Sequence, residues 1–242
     1  MPPEGHVCSI PIVFEHILTR CDRTLGEFPP PAPRLFLGRD EIVEEILGSV
    51  KTNTPLVLIG TGGIGKTSIA LTVLHHEFIK QKFGDERRFI RCDEFPTSLI
   101  HFLNRLSIVI GSGVTNPSSL APLRLFLSSK PIFLIIDNAE SILDPNANDS
   151  KGLYAAVNEL TQFENICLLI TSRISTTPPS CRHIPIPTLL KNSARGVFDS
   201  IYLGGEQVDS DIIDCLLQRL DHHTLSVTLL ATIAAQNRWG SS

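Results

Sequence analysis

The chain has 242 residues, enough for one large domain with a small appendage, and its 42% apolar content excludes wholesale disorder. A formal charge of −4 gives no electrostatic case for nucleic acid or for an anionic membrane surface. The six cysteines, at 8, 21, 92, 167, 181 and 215, form no Cys-x-x-Cys pair and sit at no metal-finger spacing with histidines. Cys92 and Cys167 lie in apolar runs and read as small buried hydrophobes, which fits a reducing, intracellular setting.

The first residues lack a basic start, and Glu15 interrupts their apolar stretch, so no secretory signal is expected. The longest continuous apolar runs, 132–136 and 166–170, are strand-sized and far short of a membrane span. A soluble, cytoplasmic protein is the expectation. Residues 1–34 read as a leader or linker, with a possible short helix over 12–18. Its end, Phe28 followed by Pro29, Pro30, Pro31, Ala32 and Pro33, favours an extended chain.

From residue 35 strand-like and helix-like segments alternate. Residues 40–50 carry apolar side chains at 42, 43, 46, 47 and 50, a helical stripe. Residues 55–60 form a short strand ending in glycine. Residues 66–80 read as one helix, with Ile69, Ala70, Val73, Leu74 and Phe78 on one face. A second strand follows at 88–92, then helices at 98–110 and 121–127. The wholly apolar stretch 131–136 is a third strand, 153–163 a helix, 166–171 a fourth strand and 182–186 a fifth. Continuous apolar strands separated by helices imply a mainly parallel five-stranded sheet covered on both faces, an α/β three-layer αβα sandwich. After Pro187 three helices follow without a strand, at 193–202, 210–220 and 224–236. The expected division is therefore a core over 35–187 and a small helical subdomain over 188–242.

Three motifs carry chemistry. Gly60, Thr61, Gly62, Gly63, Ile64, Gly65, Lys66 and Thr67 spell Gly-x-x-x-x-Gly-Lys-Thr between a strand and a helix, with Ser68 after it. Phosphate oxygens need many close backbone donors, and side chains would block that approach, hence the glycines. The helix that starts near Lys66 points its positive end at the phosphates. Lys66 adds a point charge, and Thr67 a hydroxyl for Mg²⁺. Second, Asp137 ends an apolar strand, at the edge of the sheet where this architecture binds ligands, and is placed to hold Mg²⁺. Third, Thr171, Ser172 and Arg173 end the next strand, where a polar group and an arginine could reach a γ-phosphate.

GTGGIGKT, IFLIIDNAE and LLITSR, with FLGRDEI upstream and DHHTLSVTLLA downstream, resemble the STAND class of AAA+-like P-loop ATPases. Within that class the chain is most similar to the NB-ARC/NACHT-type nucleotide-binding modules of NOD-like receptors, over about residues 35–237. The resemblance implies an ATP/ADP-binding signalling switch with Mg²⁺ as cofactor. It implies that Leu37, Gly38 and Arg39 lie against adenine and ribose, that Asp137 is the Walker B aspartate, and that Arg173 reads the γ-phosphate. Residues 221–225 match a Gly-Leu-Pro-Leu segment that touches the nucleotide, which assigns Thr224 and Leu225 to the site. It also implies self-association or protein partners through flanking domains.

Three positions depart from the family pattern. Asn138 stands where a second acid is common, and an amide can orient water but cannot take its proton, so hydrolysis should be slow unless Glu140 substitutes. Thr224 stands where the family has proline. The acid expected after Gly38 and Arg39 comes one position early, at Glu41. The family also continues into a winged-helix domain and sensing repeats, for which no room is left after Trp239, so a fragment, a truncated gene model or a stand-alone switch module is expected.

His222 and His223 read as a helix-start pair near the nucleotide, and His75 and His76 as surface positions on the helix after the loop. Asp93 and Glu94 read as a solvated loop. A non-hydrolysing interaction module is the alternative to a switch. A P-loop kinase would need an arginine-rich lid, absent between 97 and 187, and no Asn-Lys-x-Asp segment supports a GTPase.

Overall fold

The computed structural model of the chain describes residues 29–146, 149–202 and 209–237. The expected helix over 12–18 lies outside the described residues. Five strands form one sheet: β1 (Leu56–Ile59), β2 (Arg87–Arg91), β3 (Ile132–Asp137), β4 (Ile166–Ser172) and β5 (Arg182–Pro185). Their spatial order is β2-β3-β4-β1-β5, and every adjacent pair is parallel. The register brings Ile59 beside Ser172 and Arg91 beside Asp137. The ends of β1, β2, β3 and β4 therefore converge on one edge of the sheet.

The strands alternate between two cores. Val57, Leu134, Ile136, Leu168 and Ile170 face one side, with α4 (Leu99–Ile110), α5 (Arg124–Ser129), α6 (Glu140–Leu143) and α7 (Ser150–Leu160) packed over them. Leu56, Leu58, Phe133, Ile135, Cys167 and Leu169 face the other, under α1 (Asp40–Lys51), α2 (Lys66–Leu74) and α3 (Glu77–Phe83). Both faces are thus buried, which is why these strands read as unbroken apolar runs, and the architecture is the expected αβα sandwich. Local chemistry sets the helix ends. Asp40 and Glu41 sit at the positive end of α1 and Lys51 at its negative end. Ser98 caps α4 by accepting from the His101 N–H, and Gly111 closes it at φ 68°.

Three further helices, α8 (Lys191–Ile201), α9 (Ser210–Arg219) and α10 (Thr224–Gln236), bury a core of their own around Ala194, Phe198, Leu217, Val227 and Ala231. Among the described residues no helix is long and apolar enough to cross a membrane.

The single helix expected over 66–80 is two. His75 ends α2, and His76 turns extended at φ −64°, ψ 142°, where its ring nitrogen caps α3 by accepting from the Phe78 N–H. His75 Nε2 meets the Pro30 carbonyl oxygen at 2.7 Å. The histidine pair is therefore the junction between two helices and not two surface positions on one helix. The apolar stripe continues across the break, which hid it. Cys92, expected to end β2, belongs instead to a 3₁₀ turn over Cys92–Glu94.

Candidate functional site

The glycine-rich loop leaves β1 at the convergent edge and turns directly into α2. Gly63 and Gly65 take left-handed φ values of 76° and 107°, conformations that L side chains rarely adopt, and Gly65 is the residue from which α2 starts. Ile64, between them, is buried and anchors the loop in the core beneath. Lys66 folds back across the loop: its Nζ donates to the carbonyls of Gly60 at 2.8 Å and Thr61 at 3.0 Å. Burial lowers the pKa of this ammonium. Arg173 lowers it as well, while Glu140 and Asp137 oppose the shift.

Asp137 ends β3 fully buried. Its Oδ1 accepts from the hydroxyls of Thr67 at 2.9 Å and Thr171 at 2.6 Å, and Arg91 Nε lies 3.7 Å from Oδ2. Thr171 is itself buried, so its hydroxyl serves Asp137 and does not reach towards a phosphate. Among the described residues no group of three or more His, Cys, Asp or Glu could hold a metal. A carboxylate and a hydroxyl side by side, with no third protein ligand, is the donor set that suits Mg²⁺, which keeps waters and takes its remaining oxygens from phosphates. Thr67 and Asp137 could hold it.

Asn138 follows at φ 55°. Its backbone N–H donates to Thr171 Oγ1 at 3.0 Å, and its Nδ2 donates to Asp93 Oδ2 at 2.9 Å. A carboxylate only accepts, so the amide nitrogen must face Asp93, and Oδ1 is the acceptor left over. Asp93, read in the sequence as a solvated loop residue, is exposed but fixes this amide. Glu140, at the start of α6, is bound twice by one residue: Oε1 lies 2.9 Å from Arg173 Nε, and Oε2 accepts from the Arg173 backbone N–H at 3.2 Å. The Arg173 guanidinium lies over the loop, where a Cβ on Gly62 would come within 3.1 Å of its Cζ.

The helical unit closes the other side. Thr224 Oγ1 donates to the Ile64 carbonyl at 2.9 Å. Arg39 Nη2 donates to that same carbonyl at 3.2 Å and to Thr224 Oγ1 at 3.3 Å. Arg39 is buried, and burial lowers its pKa. The Leu225 N–H donates to the Gly63 carbonyl at 3.1 Å, and His223 Nε2 lies 3.3 Å from Thr61 Oγ1. His222 and His223 thus precede α10 at the phosphate loop. Leu37 and Gly38 pack on α8: a Cβ on Gly196 would lie 3.4 Å from Leu37 Cδ1, and one on Gly38 would meet Ser193 Oγ at 2.2 Å.

A cavity of about 290 Å³ lies between the two units. Gly62, Gly63, Gly65, Lys66, Thr67 and Ser68 line it from the loop and α2, Asn138 and Arg173 from the strand ends, and Thr224, Leu225 and Thr228 from α10. The structure thus brings most of the expected site residues to one cavity. Gly60, Thr61, Ile64, Asp137 and Glu140 are not part of that lining; Arg39 reaches it only through its bond to Thr224, and Leu37 and Gly38 lie against α8 instead. The volume is near the lower end of ligand pockets, as expected where α10 bonds directly to the loop.

By fold the chain is similar to a Walker-type ATPase of Pyrococcus abyssi, with a TM-score of 0.63 and 13% identity over 88% of this chain and 72% of that one. It is similar to the ORC1 protein of Aeropyrum pernix, solved in complex with DNA, with a TM-score of 0.60 and 15% identity over 85% of this chain and 62% of that one. A signal transduction ATPase with numerous domains and a tetratricopeptide repeat sensor, from Pyrococcus horikoshii, gives a TM-score of 0.56 and 14% identity over 83% of this chain and 30% of that one. No curated protein matches the chain. The model of the family Novel STAND NTPase 1 matches residues 23–198, from ahead of α1 into α8. The chain belongs to that family, the Novel STAND NTPase 1 group of STAND-class P-loop ATPases.

Proposed function

We propose that the chain is an ATP/ADP-binding switch of the NB-ARC/NACHT kind found in NOD-like receptors, working in the cytoplasm and controlling assembly with protein partners through flanking domains. One observation carries this reading: α10 hydrogen-bonds to the carbonyls of the phosphate loop itself, through Thr224 to Ile64 and through the Leu225 N–H to Gly63. What the loop holds therefore bears directly on where the helical unit sits. On this reading residues 1–34 are a linker, 35–187 the nucleotide-binding core and 188–242 the moving unit.

Residues 60–68 would cradle the phosphates with backbone N–H groups, and the positive end of α2 would add to their field. Lys66 would exchange its two carbonyl partners for phosphate oxygens. Thr67 and Asp137 would hold Mg²⁺, which when bound draws off charge from the phosphate oxygens. Arg173, at the cavity wall, would touch only a nucleotide that has a third phosphate, and this supplies the differential contact that a switch needs. Leu225 and Arg39 would bound the base and ribose. Asn138 cannot take a proton and Glu140 is occupied by Arg173, both of which favour slow hydrolysis. The same two observations support the second reading, a nucleotide-binding interaction module without catalysis.

The test is calorimetry with ADP and ATP on the wild type and on Lys66→Ala, together with identification of any nucleotide that co-purifies. ADP held by the wild type and no measurable binding to the variant support the switch. Micromolar affinity retained by Lys66→Ala sinks it. Single-turnover hydrolysis separates the two readings: bound ATP that yields no ADP over hours establishes the non-catalytic module.

A further inference from the structure

Both carboxylate oxygens of Glu140 are taken by one residue, Oε1 by Arg173 Nε at 2.9 Å and Oε2 by the Arg173 backbone N–H at 3.2 Å. The two partners differ in their surroundings. The Arg173 side chain is 60% exposed and lines the cavity, whereas that of Glu140 is 18% exposed and does not line it. The guanidinium thus stands between the carboxylate and the space where a terminal phosphate would lie. Asn138 also lines that space, and with its Nδ2 held by Asp93 it offers Oδ1 to a water as an acceptor. The site therefore holds one group that can orient a water and, one layer back, one group that can deprotonate it, with an arginine bound to the second.

We infer that Arg173 masks Glu140, that a terminal phosphate draws Arg173 away, and that Glu140 so released is the general base of hydrolysis. This deepens the switch reading and rests on it. Arg173 holds Glu140 through Nε and its backbone N–H, so its Nη groups can meet a phosphate first, and turning the guanidinium on to that phosphate takes Nε from Oε1. When the phosphate wins, Glu140 keeps one backbone N–H and regains a free oxygen. That oxygen takes a proton from a water held by Asn138. The water oxygen bonds to the terminal phosphorus as the bond from phosphorus to the bridging oxygen breaks, and that electron pair leaves with the diphosphate. The products are ADP and inorganic phosphate, and the proton on Glu140 returns to solvent. Without a terminal phosphate Arg173 stays on Glu140, so bound ADP leaves the base covered. Masking also charges a toll on triphosphate binding, because the pair at 2.9 Å must be broken first.

The test reads binding as well as turnover. Affinities for ADP and for a non-hydrolysable β,γ-imido ATP analogue are measured with Mg²⁺ on the wild type, Glu140→Gln, Arg173→Ala and the double variant. Removing the competitor should raise the preference of Glu140→Gln for the analogue over ADP about two- to five-fold, the range of a partly exposed ion pair. Its single-turnover hydrolysis should fall about 100-fold or more, as for a lost general base. In the Arg173→Ala background Glu140→Gln should leave the preference unchanged. A residue of merely structural importance would weaken both ligands together. An unchanged or lowered preference in Glu140→Gln, or the same rise in the Arg173→Ala background, overturns the mask. Wild-type protein that holds ATP and never hydrolyses it overturns the assignment of Glu140 as base. Wild-type protein that binds neither ligand overturns the switch reading and the mask with it. Should Glu140→Gln not fold, Arg173→Lys, which keeps the charge and loses the Nε contact, is read for the same shift.

Discussion

The hydroxyl of Thr224 donates to the carbonyl of Ile64 at 2.9 Å, and the same carbonyl accepts from Arg39 Nη2 at 3.2 Å. Since Arg39 Nη2 also reaches Thr224 Oγ1, at 3.3 Å, one bond network joins the segment before α1, the phosphate loop and the start of α10. Thr224 occupies the position where the resemblance to NB-ARC modules expects proline. Proline has no side-chain donor and would leave the Ile64 carbonyl to Arg39 alone. The Thr224 hydroxyl thus adds a bond between the core and the helical unit that a proline there could not make.

Thr224→Val keeps the shape of the side chain and removes the hydroxyl. The Ile64 carbonyl and the buried Arg39 guanidinium each lose a partner, so stability to urea should fall by about 1 kcal/mol. Val227, which packs inside the helical unit, is untouched, so helical content by circular dichroism should stay the same. No change in the unfolding midpoint would show that the network does not join the two units in solution.

Gly63 and Gly62 make a paired test of the loop. A Cβ on Gly63 would lie 2.7 Å from the Leu225 Cβ, and its φ of 76° already strains any L side chain. A Cβ on Gly62 would lie 3.1 Å from the Arg173 Cζ, the far end of a flexible side chain. Gly63→Ala should therefore cost about 2 kcal/mol or more, with about 1–2 kcal/mol from the left-handed backbone alone. Gly62→Ala should cost about 1 kcal/mol or less, the scale of a small surface adjustment. Equal losses in the two unfolding curves would contradict the contact between α10 and the loop.

The phosphate loop was legible in the sequence because its chemistry is local: consecutive N–H groups, glycines to admit the phosphate, a lysine and a threonine at fixed offsets. The strands were legible because burial on both faces leaves unbroken apolar runs, and Asp137 because it ends one of them. The pairing of Asn138 with Asp93 and of Glu140 with Arg173 was not, since the partners are 45 and 33 residues apart on neighbouring strand ends. Only the strand order brings them together. The break at His75 and His76 was hidden for a different reason. Ile69, Val73 and Phe78 keep a helical stripe through it, and the deciding interactions, to Phe78 N–H and to Pro30, are a cap and a distant segment.

Thiol reactivity tests the buried layer independently of any nucleotide. Burial pushes the Cys167 thiol up to about 12 and the Cys181 thiol to about 11, and raises Cys92 well above its ordinary range. Alkylation needs the thiolate, and access. Among the described cysteines only Cys215, exposed on α9, should react with iodoacetamide in the native protein at pH 8. Mass spectrometry of digests reads each site. Rapid native labelling of Cys92, which sits beneath the edge that carries Asp137, would mean that this edge opens readily.

Asp137→Asn separates metal binding from phosphate binding. The wild-type carboxylate is fully buried and holds the Thr67 hydroxyl at 2.9 Å, so it can present one charged oxygen and one hydroxyl to Mg²⁺. Without the metal that negative charge repels phosphates, and Arg91, at 3.7 Å and outside the cavity lining, offsets only part of the repulsion. Magnesium should therefore strengthen nucleotide binding in the wild type. In Asp137→Asn the repulsion and the metal ligand disappear together, so affinity without Mg²⁺ should equal or exceed that of the wild type, and added Mg²⁺ should bring little further gain. Calorimetric titrations of ADP with Mg²⁺ and with a chelator check both halves. An undiminished Mg²⁺ dependence in the variant would place the ion elsewhere, and weaker binding without Mg²⁺ would mean that Asp137 acts chiefly by bracing Thr67 and Thr171 behind the loop.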